Sequence, residues 1–262
     1  GNIDPQHGSG AVSQAAIEAA MTHQMPPAGS ILVTIRPDAD AYGAMALLSI
    51  RAEAVALSSD MLERVALIAA EDRFDRGVWP GPRRLPHCAG DIDEVGPGQL
   101  GHGALVGALA DRLLLAEEGV RIVRDWIDSG ALPPGAMDRA MAARHRLFAA
   151  LAGAALRVST RAGGQIALVE GAVPGALRLG YRLAPIVIGL DEQHRCDPPV
   201  PWRRVTIAQW ALGHVDLVRV AARLSADEPG WGGSPTIIGS PQGVPTRLDV
   251  DRIVLALLES TP

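Results

Sequence analysis

The sequence has 262 residues, of which 48% are hydrophobic and 3% aromatic, and its formal net charge is -5 at pH 7. A chain of this length can form one large domain or two smaller ones around a substantial core. The acidic balance and the shortage of aromatic side chains argue against a protein that binds long nucleic acids. All 24 basic residues are arginines, which excludes a mechanism that needs a catalytic lysine.

The two cysteines, Cys88 and Cys196, are far apart in the sequence. Such usage is more typical of a reduced cytosolic protein than of a disulfide-linked secreted one. The sequence also has no run of about 18 apolar residues and no charged-then-apolar N-terminal segment. We therefore expect a soluble, cytoplasmic protein that is not secreted and does not contact a membrane.

Two polar residues near the N-terminus, Asp4 and His7, lie in a turn-like segment. They are either metal ligands or ordinary turn residues. Residues 13–23 follow with apolar side chains at helical spacing, which predicts an amphipathic helix.

The next stretch combines a strand pattern with two carboxylates. Residues 31–35 are apolar and mostly β-branched, which predicts a buried strand that ends before Pro37. Asp38 and Asp40 follow at once, and a helix of small residues is expected from about Ala41. Ligands of open α/β sheets bind where a strand leads into a helix. On an extended backbone, two carboxylates that are two residues apart point to the same side. They repel each other unless a cation or proton lies between them. Mg²⁺ and Mn²⁺ prefer oxygen ligands of this kind, so the pair is a candidate metal site. The alternative is that Asp40 caps the helix and Asp38 is a solvated loop residue.

A second helix is predicted over residues 59–70, and it leads to Asp72 and Asp75, which are one helical turn apart. These acids are either further metal ligands or the solvated end of a helix. A loop rich in proline and glycine is predicted over residues 78–103. Arg83 in this loop could face a substrate phosphate, although an arginine of a solvated surface is the commoner case.

The remaining pattern divides the chain into two domains. Three helices are predicted first, over residues 105–117, 120–127 and 134–152. Two strands (156–160 and 165–170), a helix (174–183), two further strands (185–190 and 203–210) and a helix (214–225) follow in that order. After a glycine-rich segment and a short strand, the last helix is predicted over residues 249–258. We therefore expect an α/β domain with a parallel sheet and a helical block in residues 1–152. A smaller α+β domain is expected in residues 153–262.

A glycine-rich segment precedes the closing helix. Gly232 and Gly233 allow close approach to the backbone, and their N–H groups with the Ser234 and Thr236 hydroxyls can form a nest for a phosphate or carboxylate. The alternative is a tight turn before an edge strand.

The strand, the motif Asp38-Ala-Asp40-Ala-Tyr-Gly43-Ala44, the helix and the C-terminal domain with its Gly-Gly loop together resemble the DHH phosphoesterase superfamily. The motif is similar to that family's first metal motif. Residues 71–77 are similar to an acidic segment of some branches, and residues 203–243 to its substrate domain. The sequence also departs from the family, because it has no Asp-His-His triplet, has Arg36 where a histidine is common, and has Ser234 after the glycine pair in place of glycine and histidine.

This resemblance implies a metal-dependent phosphohydrolase that acts on a small nucleotide or a short oligonucleotide. Residues 1–152 would hold Mn²⁺ or Mg²⁺, and residues 153–262 would bind the substrate. The implied metal ligands are Asp38, Asp40, Asp72, Asp75, Asp4 and His7, and the implied catalytic carboxylates are Asp38, Asp40 and Asp72. The implied substrate contacts are Gly232, Gly233, Ser234, Thr236 and Arg83.

Two alternatives stay open. One is that the fold is reused to bind a small anionic ligand or to catalyse a reaction that involves no phosphate. The other is an assembly protein that uses the helical block over residues 105–152 as its interface. The sequence leaves the oligomeric state open, including a homodimer.

Overall fold

The structure is a computed structural model that describes residues 15–27, 29–34, 38–75, 97–109, 115–173, 175–194 and 202–262. The chain separates into two compact units. The first is drawn from Gly1–Arg73 and Asp93–Ala143, and the second from Phe74–Ile92 and Arg144–Pro262.

Helices are the regular elements in the described part of the first unit. They are α1 (Ala16–Thr22), α2 (Ala39–Ala52), α3 (Ser59–Asp75), α4 (Pro97–Leu109), α5 (Ala116–Ser129) and α6 (Ala136–Ala152), of which α3 and α6 continue into the second unit. Their apolar side chains form one core that includes Leu47, Ile50, Val65 and Ile127. Helix α5 buries one stripe of side chains, whereas α2 is buried on most of its sides, and this shared apolar core stabilises the unit.

The second unit contains a six-stranded sheet. Its strands are β1 (Arg157–Arg161), β2 (Ile166–Glu170), β3 (Ile186–His194), β4 (Trp202–Gln209), β5 (Gly232–Gly233) and β6 (Ile237–Gly239), and its helices are α7 (Leu177–Gly180), α8 (Leu217–Asp227) and α9 (Val250–Leu258). The strand order is β1-β2-β3-β4-β6-β5. Strands β2 and β3 are parallel, and the other neighbouring strands pair antiparallel.

Both faces of this sheet carry apolar side chains. Ile186, Ile188 and Leu190 of β3 belong to a core shared with α8 and α9. The alternate residue Val187 belongs to the opposite core, with Phe74 and α7. Because successive side chains of a strand point to opposite faces, helices cover both sides of the central strands.

The prediction of a mixed α/β chain is confirmed, but the parallel sheet expected in the N-terminal domain is wrong for the described residues. Residues 31–34 form no strand, and Ile31 and Val33 are 86% and 83% exposed. A strand needs neighbours to satisfy its backbone groups, and the described part of the first unit offers none. The sheet lies instead in the second half of the chain. The domain boundary between residues 152 and 153 stays a prediction.

The strands β1 to β4 and the helices α7 to α9 predicted for the second half are confirmed in type and order. The glycine pair, predicted as a loop, forms the short strand β5. The loop predicted over residues 78–103 is wrong at its end, because α4 begins at Pro97, and residues 78–96 lie outside the described part. Proline suits the first turn of a helix, since the N–H that it lacks would have no helical partner there. Within the described ranges, no helix combines the length and apolar character needed to cross a bilayer.

Candidate functional site

The two aspartates singled out from the sequence lie at helix ends. Asp38 is the N-cap of α2, and its Oδ1 accepts a hydrogen bond of 2.9 Å from the Ala41 N–H. Asp40 is 4% exposed, and its two oxygens accept hydrogen bonds from the N–H groups of Ala16 (2.8 Å) and Ile17 (2.9 Å). Asp40 therefore caps α1, whose first two residues precede it by 24 and 23 positions in the sequence. The alternative from the sequence, in which Asp40 caps the helix that follows it, is wrong, because Asp38 has that role.

The other predicted metal ligands are not brought into one group by the described residues. Asp72 is half-buried on α3. Asp4, His7, Arg83 and the side chain of Asp75 lie outside the described part. Among the residues that the structure describes, no three His, Cys, Asp or Glu side chains converge as metal ligands would. The Mn²⁺ or Mg²⁺ site stays a prediction.

The glycine-rich segment forms a short hairpin at the sheet edge. Gly232 and Gly233 pair with Gly239 and Ile238 of β6. The Ser234 hydroxyl accepts hydrogen bonds of 3.3 Å from the N–H groups of both Thr236 and Ile237. The Ser234 hydroxyl therefore takes part in hydrogen bonds inside the turn. The phosphate contact of this segment stays a prediction.

A polar cluster that the sequence analysis missed lies on β3 and β4. In the register of these strands, Val187 faces Ala208, Gly189 faces Thr206, and Asp191 faces Arg204. These three facing pairs lie on the same side of the sheet, and their side chains change from apolar to polar along the strands. Gly189 offers no side chain at the point of change, and a Cβ there would lie 2.8 Å from Leu177 Cδ1.

This cluster borders a cavity of about 490 Å³, which we call the Gly189 cavity. Its apolar wall includes Val169, Ala176 and Leu177, and its polar wall consists of Asp191, His194, Arg204 and Thr206. Strands β2 and β3 are parallel and end at this cavity. Ligands of α/β sheets commonly bind at the carboxyl ends of such strands.

The hydrogen bonds fix the form of His194. The Arg204 guanidinium lies 2.9 Å from His194 Nε2, and Asp191 Oδ2 lies 3.2 Å from His194 Nδ1. A guanidinium only donates hydrogen bonds, so Nε2 accepts and carries the lone pair. The proton of the neutral ring is consequently on Nδ1 and is donated to Asp191. The Trp202 ring packs edge-on against the imidazole, with 5.5 Å between ring centroids.

Arg204 is the positively charged side chain in the wall of the cavity. Asp191 Oδ1 accepts a hydrogen bond from the Gln193 N–H (2.9 Å) while Oδ2 binds His194. Among the described residues, no carboxylate forms an ion pair with Arg204. An arginine on a concave, partly apolar surface is suited to an anion with an apolar body.

A larger cavity of about 730 Å³ lies at the opposite end of β2 and β3 and includes Tyr181, Trp210 and His214 in its wall. The Trp210 indole N–H donates to His214 Nε2 over 2.9 Å. Trp210 and Tyr181 are buried in the core between sheet and α7. Since these rings mainly pack on one another, the Gly189 cavity is the better candidate.

One sequence signal could have found the Gly189 cavity. Gly189 interrupts the apolar run of residues 185–190, and a glycine inside a strand often marks a close approach by a ligand. Arg204 could not be added from the sequence, because its place beside Asp191 depends on the pairing register of β3 and β4.

Comparison with known proteins gave no match: no family model, no curated protein and no solved structure is significantly similar to this chain. The likeness to the DHH phosphoesterases therefore rests on the sequence motifs alone and stays a prediction.

Proposed function

We propose that the protein binds a small phosphorylated molecule in the Gly189 cavity. The observation that supports this is the contact between Arg204 and His194 Nε2 on the polar wall of the cavity. A neutral imidazole is a weaker partner for a guanidinium than a phosphate is, because charge-assisted hydrogen bonds are about twice as strong as neutral ones. A phosphate would therefore replace His194 as the partner of Arg204.

The shape and chemistry of the walls support a ligand of limited size. Ligand cavities have volumes of about 300–1,000 Å³, and this one has about 490 Å³. The Thr206 hydroxyl adds a second donor beside Arg204, and Val169 and Leu177 offer apolar contact for the body of the ligand. A small nucleotide or sugar phosphate fits this description better than a polymer.

The test is calorimetric titration with inorganic phosphate of the native chain, of Arg204→Met and of Arg219→Met. Arg219 is an exposed arginine on α8 that lines neither of the two cavities described above. We expect Arg204→Met to weaken binding about tenfold or more, since a hydrogen bond to a charged group contributes about 1.5–3 kcal/mol. Arg219→Met should bind as the native chain does. Equal affinity in Arg204→Met, or tighter binding of acetate than of phosphate, would contradict the proposal.

Metal-dependent hydrolysis of a small nucleotide or short oligonucleotide is a second proposal, carried over from the Asp38-Ala-Asp40 motif. Asp38 is exposed and uses Oδ1 to cap α2, and no donor among the described residues is hydrogen-bonded to its Oδ2. Titration with Mn²⁺ tests this proposal: Asp38→Ala should lose heat of binding that the native chain shows. The absence of Mn²⁺ binding by the native chain would rule it out.

A further inference from the structure

We infer that Asp191 and His194 form a general-base pair that Arg204 holds inactive until an anion binds. This inference rests on the proposed function, because the same cavity and the same arginine are involved. It adds an activity, hydrolysis of a small phosphate ester, in which His194 is the catalytic residue and Asp191 positions it. It uses no residue of the Asp38 motif.

The first support is the tautomer. The Nδ1–H of His194 points to Asp191 Oδ2 (3.2 Å), and its Nε2 lone pair faces the Arg204 guanidinium (2.9 Å). A carboxylate that accepts a hydrogen bond from one ring nitrogen orients the imidazole and leaves the lone pair on the other nitrogen. The pair therefore has the arrangement that general-base catalysis by histidine requires.

The second support is the position of the donor. Arg204 and His194 both line the Gly189 cavity, so an anion that enters can reach the guanidinium. When Arg204 donates to the phosphoryl oxygens instead, its guanidinium no longer occupies the Nε2 lone pair, which faces the bound ester. The arginine then stabilises negative charge on the phosphoryl group as the reaction proceeds.

The step balances without a further reactant. His194 Nε2 takes a proton from a water molecule while the water oxygen forms a bond to phosphorus. The bond from phosphorus to the ester oxygen breaks, and that oxygen leaves with the electron pair. The leaving oxygen takes the proton from the imidazolium, which returns His194 to its neutral form. One group thus acts as base and then as acid.

The substitutions are chosen to keep the geometry. His194→Gln places a neutral acceptor near Arg204 but cannot take up a proton. Asp191→Asn keeps the shape of the orienting group and removes its charge. His145→Gln is the control, because His145 is an exposed histidine on α6 that lines none of the described cavities.

The measurement is hydrolysis of p-nitrophenyl phosphate in excess EDTA, with phosphate affinity measured on the same preparations. We expect slow turnover by the native chain and by His145→Gln. In His194→Gln, kcat should fall about 100-fold or more while KM stays within about threefold, since general-base catalysis contributes about 10²–10⁴-fold. Asp191→Asn should lower kcat by a smaller factor. Nitrogen NMR of the native chain should show His194 protonated on Nδ1.

Each failure has its own meaning. A native chain that binds phosphate but shows no EDTA-resistant turnover overturns the general-base pair and leaves the proposed ligand site intact. Turnover that survives His194→Gln, or a proton on Nε2 in the NMR spectrum, also overturns it. A native chain that does not bind phosphate overturns the proposed function itself.

Discussion

Asp40 and Arg51 lie on the same face of α2 and bind opposite ends of α1. Asp40 accepts the N–H groups of Ala16 and Ile17, and the Arg51 guanidinium donates to the carbonyl oxygens of Ala20 and His23. Their spacing of i to i+11 returns to the same side of a helix with 3.6 residues per turn. An anion at the N-terminus and a cation at the C-terminus also match the dipole of α1. The two helices therefore run parallel and are held at both ends.

Asp40→Ala should destabilise the protein by about 2 kcal/mol, because it leaves two helix N–H groups without their buried acceptor. Asp38→Ala is the matched control, since Asp38 is exposed and accepts one N–H. We expect it to cost about 1 kcal/mol or less. Urea denaturation followed by circular dichroism gives both values. Equal losses in the two variants would mean that Asp40 does not hold α1.

Asp38 and Asp40 also show which properties of the candidate site could be predicted from the sequence. The sequence placed a helix start beside these two aspartates, but the capping alternative gave the cap to Asp40, whereas Asp38 caps α2. Asp40 was visible as a carboxylate, but its partners are N–H groups 24 and 23 residues away in the sequence. No local pattern predicts which distant helix end a carboxylate will reach. A short acidic motif is therefore ambiguous between a metal ligand and a cap.

Some elements of the fold could be predicted from the sequence and others could not. The strands and helices of the second unit were predicted because alternation and turn glycines mark them locally. The β-branched run over residues 31–35 predicted a strand that is absent at residues 31–34. Strand preference depends on pairing and burial more than on the backbone itself. The cluster at Gly189 was missed for a related reason, since the register of β3 and β4 creates it.

Close packing at Gly119 gives a second prediction. A Cβ at this position of α5 would lie 2.5 Å from Cζ of Tyr42, a buried ring on α2. Gly119→Ala should therefore cost about 1–3 kcal/mol from overpacking, more than the gain in helix preference of about 1 kcal/mol. Gly107→Ala on α4 is the control, because no atom of the described residues outside the backbone of α4 lies within 4 Å of its Cβ position. That variant should be slightly stabilised in thermal unfolding. A Gly119→Ala protein as stable as Gly107→Ala would contradict the close contact of α2 and α5.

The hairpin at the sheet edge separates a structural role from ligand binding. Ser234→Ala removes the hydroxyl that accepts the Thr236 and Ile237 N–H groups. We expect a loss of about 1 kcal/mol in urea denaturation, with phosphate affinity within a factor of about two of the native value. A large loss of phosphate affinity with unchanged stability would instead favour the anion nest predicted from the sequence.

Glu228 at the end of α8 should make the stability of the protein depend on pH. Burial raises the pKa of its carboxyl, but hydrogen bonds from the Thr246 hydroxyl, the Arg247 N–H and the Trp231 indole, together with the charge of Arg203, lower it further than burial raises it. The net result is a pKa below the ordinary value. The three donors lie at 2.6, 2.7 and 2.9 Å from the carboxylate oxygens.

A pKa that is lower in the folded state stabilises the protein above the unfolded-state value of about 4.5, and this contribution is lost as the pH falls through the folded-state pKa. Glu228→Gln should reduce stability by about 1–3 kcal/mol near neutral pH, since an amide cannot accept all three hydrogen bonds. The difference from the native chain should shrink as the pH falls below about 4. Glu259→Gln is the control, because its partner Arg223 forms a partly exposed ion pair, and such pairs contribute about 0–1 kcal/mol. Urea denaturation of the three proteins between about pH 3 and pH 7 measures these differences. If the curves of the native chain and Glu228→Gln stay parallel over this range, the carboxylate of Glu228 does not stabilise the turn between α8 and residue 247.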